Sequence, residues 1–463
     1  MKNTFWLVLA EAVIKILSLV LIIYMVRVLG VTQYGKFTFA FSFVSIMAIF
    51  SDLGVVDFST RGLARNKNNE ERFSGIFTLE ALLCVFMLGV SVVGSFFITP
   101  DSEIRKIIWI LSIFFISNSL FGIIFSFLRA RQNMEYEALI RIAQSLANTL
   151  VVFFVILYLP SIGNVSYGYL ISNLIILFFL LLLFRARFQP IHLHLEKHSL
   201  DVLKMSWPMS LGFVASWTYL SINSVMLGYF NLITENGWYN AASRIALVAI
   251  IPATLILKTF YPMLSNFYVS SAEKLQKSWD YLAQSMLWLA LPMVTGMIVI
   301  APKIIYAFYG PGFSPSILAL QLLIIVIGIS FITIPYSVIL VVADQQKKNF
   351  SLIVVGAVMT IGLNVILVPW FGFYGSIISA LIASSAVFFG TVAVAHYTTA
   401  IRIVNKNLLL ATVISAFSSA VMYGLIHNQF MDHAPLVIIC FTGALVYCLL
   451  SLVLYRISYV RSK

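Results

Sequence analysis

The sequence predicts an all-α integral membrane protein of fourteen spanning helices, and three observations carry that prediction. Apolar stretches of roughly bilayer-crossing length recur from Phe5 to Arg456 with only short polar breaks; a hydrocarbon core about 30 Å thick takes about 20 residues at 1.5 Å rise. Of the 463 residues, 61% are hydrophobic and 10% charged, too little polar surface for a water-soluble globule. The apolar runs are also continuous, where a β-barrel would show short alternating segments.

Each span is bounded by recognisable breaks. The first, 5–28, stops at Leu29-Gly30; it is too long for a signal-peptide core and lacks a small-x-small cleavage site, so it reads as a retained helix. The second, 36–58, carries Asp52-Leu53-Gly54 near its inner end. Arg61, Arg65, Lys67 and Arg72 lead to the third, 76–98, and Arg105 and Lys106 to the fourth, 107–128. Arg129 and Arg131 precede the fifth, 138–159, and Pro160 separates it from the sixth, 167–184. Arg185, Arg187, Lys197 and Lys204 fill the linker before the seventh, 206–229. The eighth, 239–260, closes on Tyr261-Pro262; Lys274 and Lys277 precede the ninth, 281–301, and Lys303 follows it. Lys347 and Lys348 part the tenth, 316–342, from the eleventh, 350–368, and Pro369 opens the turn to the twelfth, 375–398. Arg402 and Lys406 precede the thirteenth, 408–427, and a short outward break leads to the fourteenth, 435–456.

The net charge of +12 invites an anionic partner until it is partitioned by side. With the amino terminus inside, only Arg27, Lys36, Arg105, Lys106 and Lys303 of the 29 Lys and Arg fall outside, and Lys15, Arg141 and Arg244 lie within helices. All others are inward, the positive-inside pattern, which places both termini in the cytoplasm. The basicity is therefore topogenic, and nucleic-acid binding is not expected. Outward loops are too short for a catalytic domain. Cys84, Cys440 and Cys448 fall inside helices, as small hydrophobes rather than disulfide or metal ligands.

Weak self-similarity suggests a duplicated six-helix unit. Pro160-Ser-Ile-Gly163 followed by Gly168-Tyr-Leu-Ile171-Ser172 is matched by Pro369-Trp-Phe-Gly372 followed by Gly375-Ser-Ile-Ile378-Ser379. Ala130-Arg131-Gln132 is matched by Ala343-Asp344-Gln345, and Leu29-Gly30 by Leu227-Gly228. Six being even, both units would share one orientation, related about an axis along the membrane normal. The expected organisation is a lobe over 1–190, a second over 205–398, and helices thirteen and fourteen with a tail over 399–463.

Arg27-Val-Leu29-Gly30, Tyr34-Gly35, Asp52-Leu53-Gly54 and Arg61 together resemble the amino-terminal signature of bacterial polysaccharide flippases. So do Tyr261-Pro262-Met-Leu-Ser265 and the stretch Asn364 through Leu367, Pro369, Gly372 and Gly375. These flippases belong to the multidrug, oligosaccharidyl-lipid and polysaccharide exporter superfamily. The resemblance implies movement of an undecaprenyl-pyrophosphate-linked oligosaccharide across the bacterial inner membrane by alternating access, for O-antigen, capsule or exopolysaccharide assembly. It also implies membrane lipids, a polysaccharide polymerase and chain-length proteins as partners, a passage lined by helices one, two, seven and eight, and substrate contact by Arg27 and Arg61. A multidrug cation antiporter of the same superfamily, or an integral-membrane polymerase or glycosyltransferase, is the alternative.

Charge within a spanning helix costs several kcal/mol unless it faces a cavity or a partner. Lys15 lies on the order of 15 Å deep at 1.5 Å per residue, with Glu11 one turn before it on the same face, the favourable orientation for an ion pair. The two either neutralise each other in the bundle, or Lys15 lines a water-filled cavity while Glu11 tunes it or carries a coupling proton. Arg244 in helix eight suits bidentate phosphate contact; Arg244 and Arg141 could equally snorkel to headgroups. Glu80 is expected to answer Arg72 or Arg141. In helix seven, Ser210, Trp217, Ser221, Ser224 and Gly228 share one face at about 100° per residue, suiting either close helix packing or, through Trp217, a sugar ring.

His192, His194, Glu196 and His198 alternate in a solvated linker and, lacking a second ligand cluster, do not read as a metal site. Neither a phosphate-cradling Gly-x-x-x-x-Gly-Lys motif nor a catalytic nucleophile constellation occurs. No cofactor is expected, and an H+ or Na+ gradient is the natural driving force.

Overall fold

The computed structural model describes residues 2–65, 70–188, 193–194, 197–399, 401–403, 405–427 and 435–461. Among them there is no strand, and 12 helices are long and apolar enough to cross a membrane. The chain divides into two compact units, Met1–Gly237 and Trp238–Lys463. Large apolar side chains stand outward on both: Phe97 is 81% exposed and Trp370 82%. A surface of that kind belongs in lipid.

In the first unit, helix α1 runs Lys2–Met47 but is two arms joined at Gly30 (φ 75, ψ 178). Only glycine adopts that backbone readily, and the turn is made without an intervening loop. Gly35 lies inside the second arm. A Cβ there would stand 2.0 Å from the Ile233 carbonyl oxygen, so its role is close helix packing. The expected continuous span 36–58 is cut. After α2 (Ile49–Asp52), Leu53 (φ 43) and Gly54 (φ 78) turn the chain into α3 (Val55–Arg65). Asp52 Oδ1 accepts the Val56 N–H at 2.8 Å, capping α3. The Asp52–Leu53–Gly54 motif is therefore a helix break with its own cap.

Helices α4 (Glu70–Ile98), α5 (Ser102–Ala130), α6 (Met134–Tyr158), α7 (Ile162–Arg187) and α8 (Lys197–Tyr229) complete the unit with the start of α9 (Ile233–Val248). Asp101 caps α5 through the Glu103 N–H at 2.8 Å, and Ser161 caps α7 through the Asn164 N–H at 3.2 Å. Phe73, Phe127 and Phe184 form the centre of the core with ring centroids 4.9–5.2 Å apart, surrounded by Phe121, Ile124 and Leu180.

In the second unit, α10 (Ile251–Ser270) follows a break at Ala249-Ile250, placing Pro252 in a first turn where its missing N–H costs nothing. Helices α11 (Ala272–Phe308), α12 (Ser316–Val342), α13 (Gln346–Phe371), α14 (Phe373–Thr398), α15 (Lys406–Ile426) and α16 (Leu436–Arg461) follow. The fully buried Trp279 of α11 donates to the Pro335 carbonyl of α12 at 3.0 Å. The chain entering α15 is clamped to α11. Gln276 accepts the Arg402 N–H at 2.8 Å and donates to the Arg402 carbonyl at 3.1 Å, and Asn405 donates to Asp280 at 2.7 Å. Ser415 and Tyr447 hydroxyls tie α15 to α16 at 2.6 Å.

Part of the internal repeat has a structural counterpart within each unit. Ser172 donates to the Gly168 carbonyl and Ser379 to the Gly375 carbonyl, both at 2.8 Å, and each glycine packs against the preceding helix. Left-handed residues Gln132 and Asp344 end α5 and α12 with the same closure, Asn133 N–H to Leu128 O and Gln345 N–H to Leu340 O, both 2.8 Å. The backbone thus pairs Gln132 with Asp344, one residue away from the register of the sequence match. Leu227-Gly228 does not repeat Leu29-Gly30: Gly228 lies within α8, where a Cβ would meet the Phe39 ring at 2.1 Å.

Candidate functional site

The first arm of α1 carries the Glu11–Lys15 ion pair that the sequence predicts. Lys15 Nζ lies 3.3 Å from Glu11 Oε1, and the side chains are 49% and 56% exposed. The arm is held on α6, where Tyr24 meets Phe153 with centroids 4.7 Å apart. Lys15 precedes Tyr24 by nine residues, which at 100° per residue is about half a revolution. The pair therefore points away from the packed face.

The other expected site residues lie on other parts of the fold or outside the described residues. Arg27 is exposed on the same arm, but twelve residues on, about 18 Å along the axis and about 120° around it. Arg244 is half-buried on α9 in the second unit. Arg61 lies on α3 and Trp217 on α8, and both side chains lie outside the described residues. So do His192 and Glu196, while the His194 N–H donates to Thr78 at 3.1 Å.

The small-residue stripe of α8 is a packing surface where it is described. Ser221 and Ser45 hydroxyls meet at 3.3 Å, Ser224 donates to the Thr38 carbonyl at 3.3 Å, and Gly228 sits on Phe39. Sequence reasoning missed what locks this contact. Asn236 of α9, fully buried, accepts from Ser224 at 2.8 Å and donates to the Gly35 carbonyl at 2.9 Å and to Thr38 at 3.1 Å. Asn236 beside Gly237, near the start of an otherwise apolar span, was the available signal.

Of the two pairings expected for Glu80, the one with Arg72 involves a side chain outside the described residues, and the one with Arg141 is corrected. Arg141 does not answer Glu80. It binds the buried Glu137 at 2.8 Å and stacks on Phe125, while Arg129 reaches the same carboxylate through Nε and Nη2. One turn separates Glu137 from Arg141, and that local partner wins. Glu80 accepts instead from Ser119 of α5. A further missed network links α5, α6 and α7: Gln144 donates to Asn118 at 3.0 Å and Asn173 at 2.7 Å, and Asn173 donates to Ser117 at 2.9 Å. At the turn between α4 and α5, Lys36 lies 3.1 Å from Asp101 and also binds Glu103. Burial acts to raise the Asp101 pKa, but hydrogen bonds from Lys36 and the Glu103 N–H outweigh it and hold the carboxyl below its ordinary range. That contact contributes at neutral pH and is lost as pH falls through the lowered value.

Residues 1–268 match the family model described as "Polysaccharide biosynthesis protein". The chain belongs to that family. A curated relative, "Probable flippase AglR" of Haloferax volcanii, is 25% identical over 282 residues, which are 58% of this chain and 56% of AglR, so the alignment spans little over half of that relative. The solved structure of "Lipid II flippase MurJ, inward closed conformation" superposes with a TM-score of 0.79 over 97% of this chain and 98% of MurJ at 18% identity. An inward-facing multidrug resistance MATE family transporter of the MOP superfamily gives 0.64 over 82% of this chain and 95% of its own at 17% identity. The fold of this polysaccharide biosynthesis family protein is thus shared with both kinds of solved transporter.

Proposed function

We propose that this protein is a transporter, not an enzyme, and that it flips lipid-linked oligosaccharide repeat units from the inner to the outer leaflet. The carrier is undecaprenyl pyrophosphate, the membrane the bacterial inner membrane, and the product a surface polysaccharide handed to a polymerase and chain-length proteins. What carries the reading is the half-exposed Glu11–Lys15 pair in a span of a chain built like a lipid II flippase. At that depth, a charged pair on a lipid-facing surface would cost several kcal/mol, so this face suits water and an anionic headgroup. Lys15, Arg27, Arg61 and Arg244 are the proposed pyrophosphate contacts, Trp217 a sugar contact, and Glu11 the tuning or coupling acid. The antiporter alternative is less well supported, since the MATE fold matches less of the chain and less closely.

The proposed arrangement is fourteen spans with both termini inside, in two six-helix lobes over 1–190 and 205–398 plus two helices over 399–463. It is supported by Gly30 dividing α1 in two, by the 33-residue α8, and by the sidedness of Lys and Arg. In a cysteine-free background, single cysteines across 185–204 are expected to resist an impermeant thiol reagent in intact cells, and ones at Ser161 or Phe313 to react. Labelling of the linker from outside overturns the sidedness.

Flipping is tested with purified protein in liposomes, using a fluorescent undecaprenyl-pyrophosphate oligosaccharide with and without a pH or sodium gradient. Movement of this lipid, but not of a cationic drug, is the expected result; the reverse overturns the reading. Glu11→Gln is expected to bind the lipid yet lose the response to the gradient. Equal gradient dependence in wild type and Glu11→Gln removes the coupling role from Glu11 and leaves flipping intact.

A further inference from the structure

The first unit buries an acid that nothing above employs. Glu80 lies in the span Phe73–Ile98 of α4 and is 0% exposed. One carboxyl oxygen, Oε1, accepts the Ser119 hydroxyl; the other, Oε2, is buried without a hydrogen-bond partner. Helices α1, α2, α3, α5 and α8 pack against α4. Among the described residues they bring one charged group to bear on Glu80, the carboxylate of Asp52 at the end of α2; the other titratable neighbour is Cys84, one turn along α4 itself. No described cation faces it.

An ionised carboxylate placed there without a counter-charge costs several kcal/mol, and a second carboxylate nearby adds repulsion. With a proton on Oε2 both costs vanish, while Oε1 keeps its bond from Ser119. Beside it the backbone is already open: Asp52 uses Oδ1 to cap α3, and Leu53 and Gly54 hold left-handed conformations that interrupt the helix. Asp52 is partly exposed at that break.

We propose that Glu80 is a proton-carrying site. It holds one proton on Oε2 while dry. When water enters at the α2–α3 break the O–H bond ionises, the proton passing to water or to the carboxylate of Asp52 and the electron pair staying on Glu80. The site rests on the transport reading for its use, since a proton exchanged only when water arrives can couple a pH difference to movement of cargo, but its existence does not depend on what the cargo is.

The test is infrared spectroscopy of the full-length protein in lipid bilayers, following the protonated carboxyl C=O stretch of wild type and Glu80→Gln as pH rises. A band that is missing in Glu80→Gln and bleaches reversibly in wild type is the expected result. Glu80→Asp, which keeps the acid, is expected to move the band rather than remove it, and so covers the case in which the amide variant folds poorly. Identical carboxyl bands in wild type and Glu80→Gln at every pH overturn the site. In liposomes, Glu80→Gln is expected to lose the acceleration of lipid movement by a pH gradient; an unchanged acceleration likewise overturns the site. A titrating Glu80 band in a protein that moves no lipid-linked saccharide would keep the proton site and sink the flippase reading, so the two fail separately.

Discussion

Cells carrying Lys15→Ala lose export of their lipid-linked glycan while the protein still reaches the membrane. Lys15 is the deepest cation on the first arm of α1, and it stands half-exposed on the face turned away from α6. A hydrogen bond to a charged group contributes about 1.5–3 kcal/mol, which is a loss of about 10- to 150-fold in a binding or transition-state term. Arg244→Ala is expected to fall in the same range. Arg244→Lys should retain only part of the activity, because an ammonium replaces a planar fork with a point charge. Removing Lys15 also strands Glu11, so the double change Glu11→Gln with Lys15→Gln separates the two effects: it restores membrane insertion if the single variant failed for lack of a counter-charge. The readout is surface glycan alongside the amount of protein in the membrane. Full export by both alanine variants would show that these charges serve the structure alone.

Gly35→Ala is expected to destabilise the first unit by about 3 kcal/mol or more, at the upper end for point changes. The added Cβ would lie 2.0 Å from the Ile233 carbonyl oxygen and 3.1 Å from the Gly237 nitrogen. Both are backbone atoms and cannot rotate away, so the second arm of α1 must part from α9. Parting breaks the bonds from Asn236 to the Gly35 carbonyl and to Thr38. Gly237→Ala meets the Val31 carbonyl oxygen at 2.3 Å and should behave alike. Gly163→Ala is the control: nothing lies within 4 Å of its Cβ, and a surface substitution of that kind stays within about 0.5 kcal/mol. Thermal unfolding of the purified variants in detergent reads the difference. Equal transitions for Gly35→Ala and Gly163→Ala would remove the close contact from the account.

Several local features were legible because their causes are local. Gly30 marked the turn in α1 and adopts the backbone only glycine takes readily. The serines and glycine of the α8 stripe, Ser221, Ser224 and Gly228, pointed to helix packing and do pack against the second arm of α1. Glu11 and Lys15 one turn apart predicted an ion pair, and the pair forms. The Asp52 motif was visible as a special position, but its cap on Val56 was not, because the break at Leu53-Gly54 sits inside what reads as one apolar run.

By itself, then, the sequence determined that this is a helical membrane protein and where its apolar segments run. Hydrocarbon offers the backbone no hydrogen-bond partner, so each long apolar run must form its bonds internally as a helix. Which polar groups meet was decided by the tertiary structure. Glu80 met Ser119 of α5, Arg129 of α5 met Glu137 of α6, and Gly35 met α9. The reason is that lipid tails and neighbouring helices are equally apolar, so hydropathy does not tell the face that packs from the face that meets lipid. Only the rotation of each helix about its own axis, set by small residues and buried amides such as Asn236, brings those groups together.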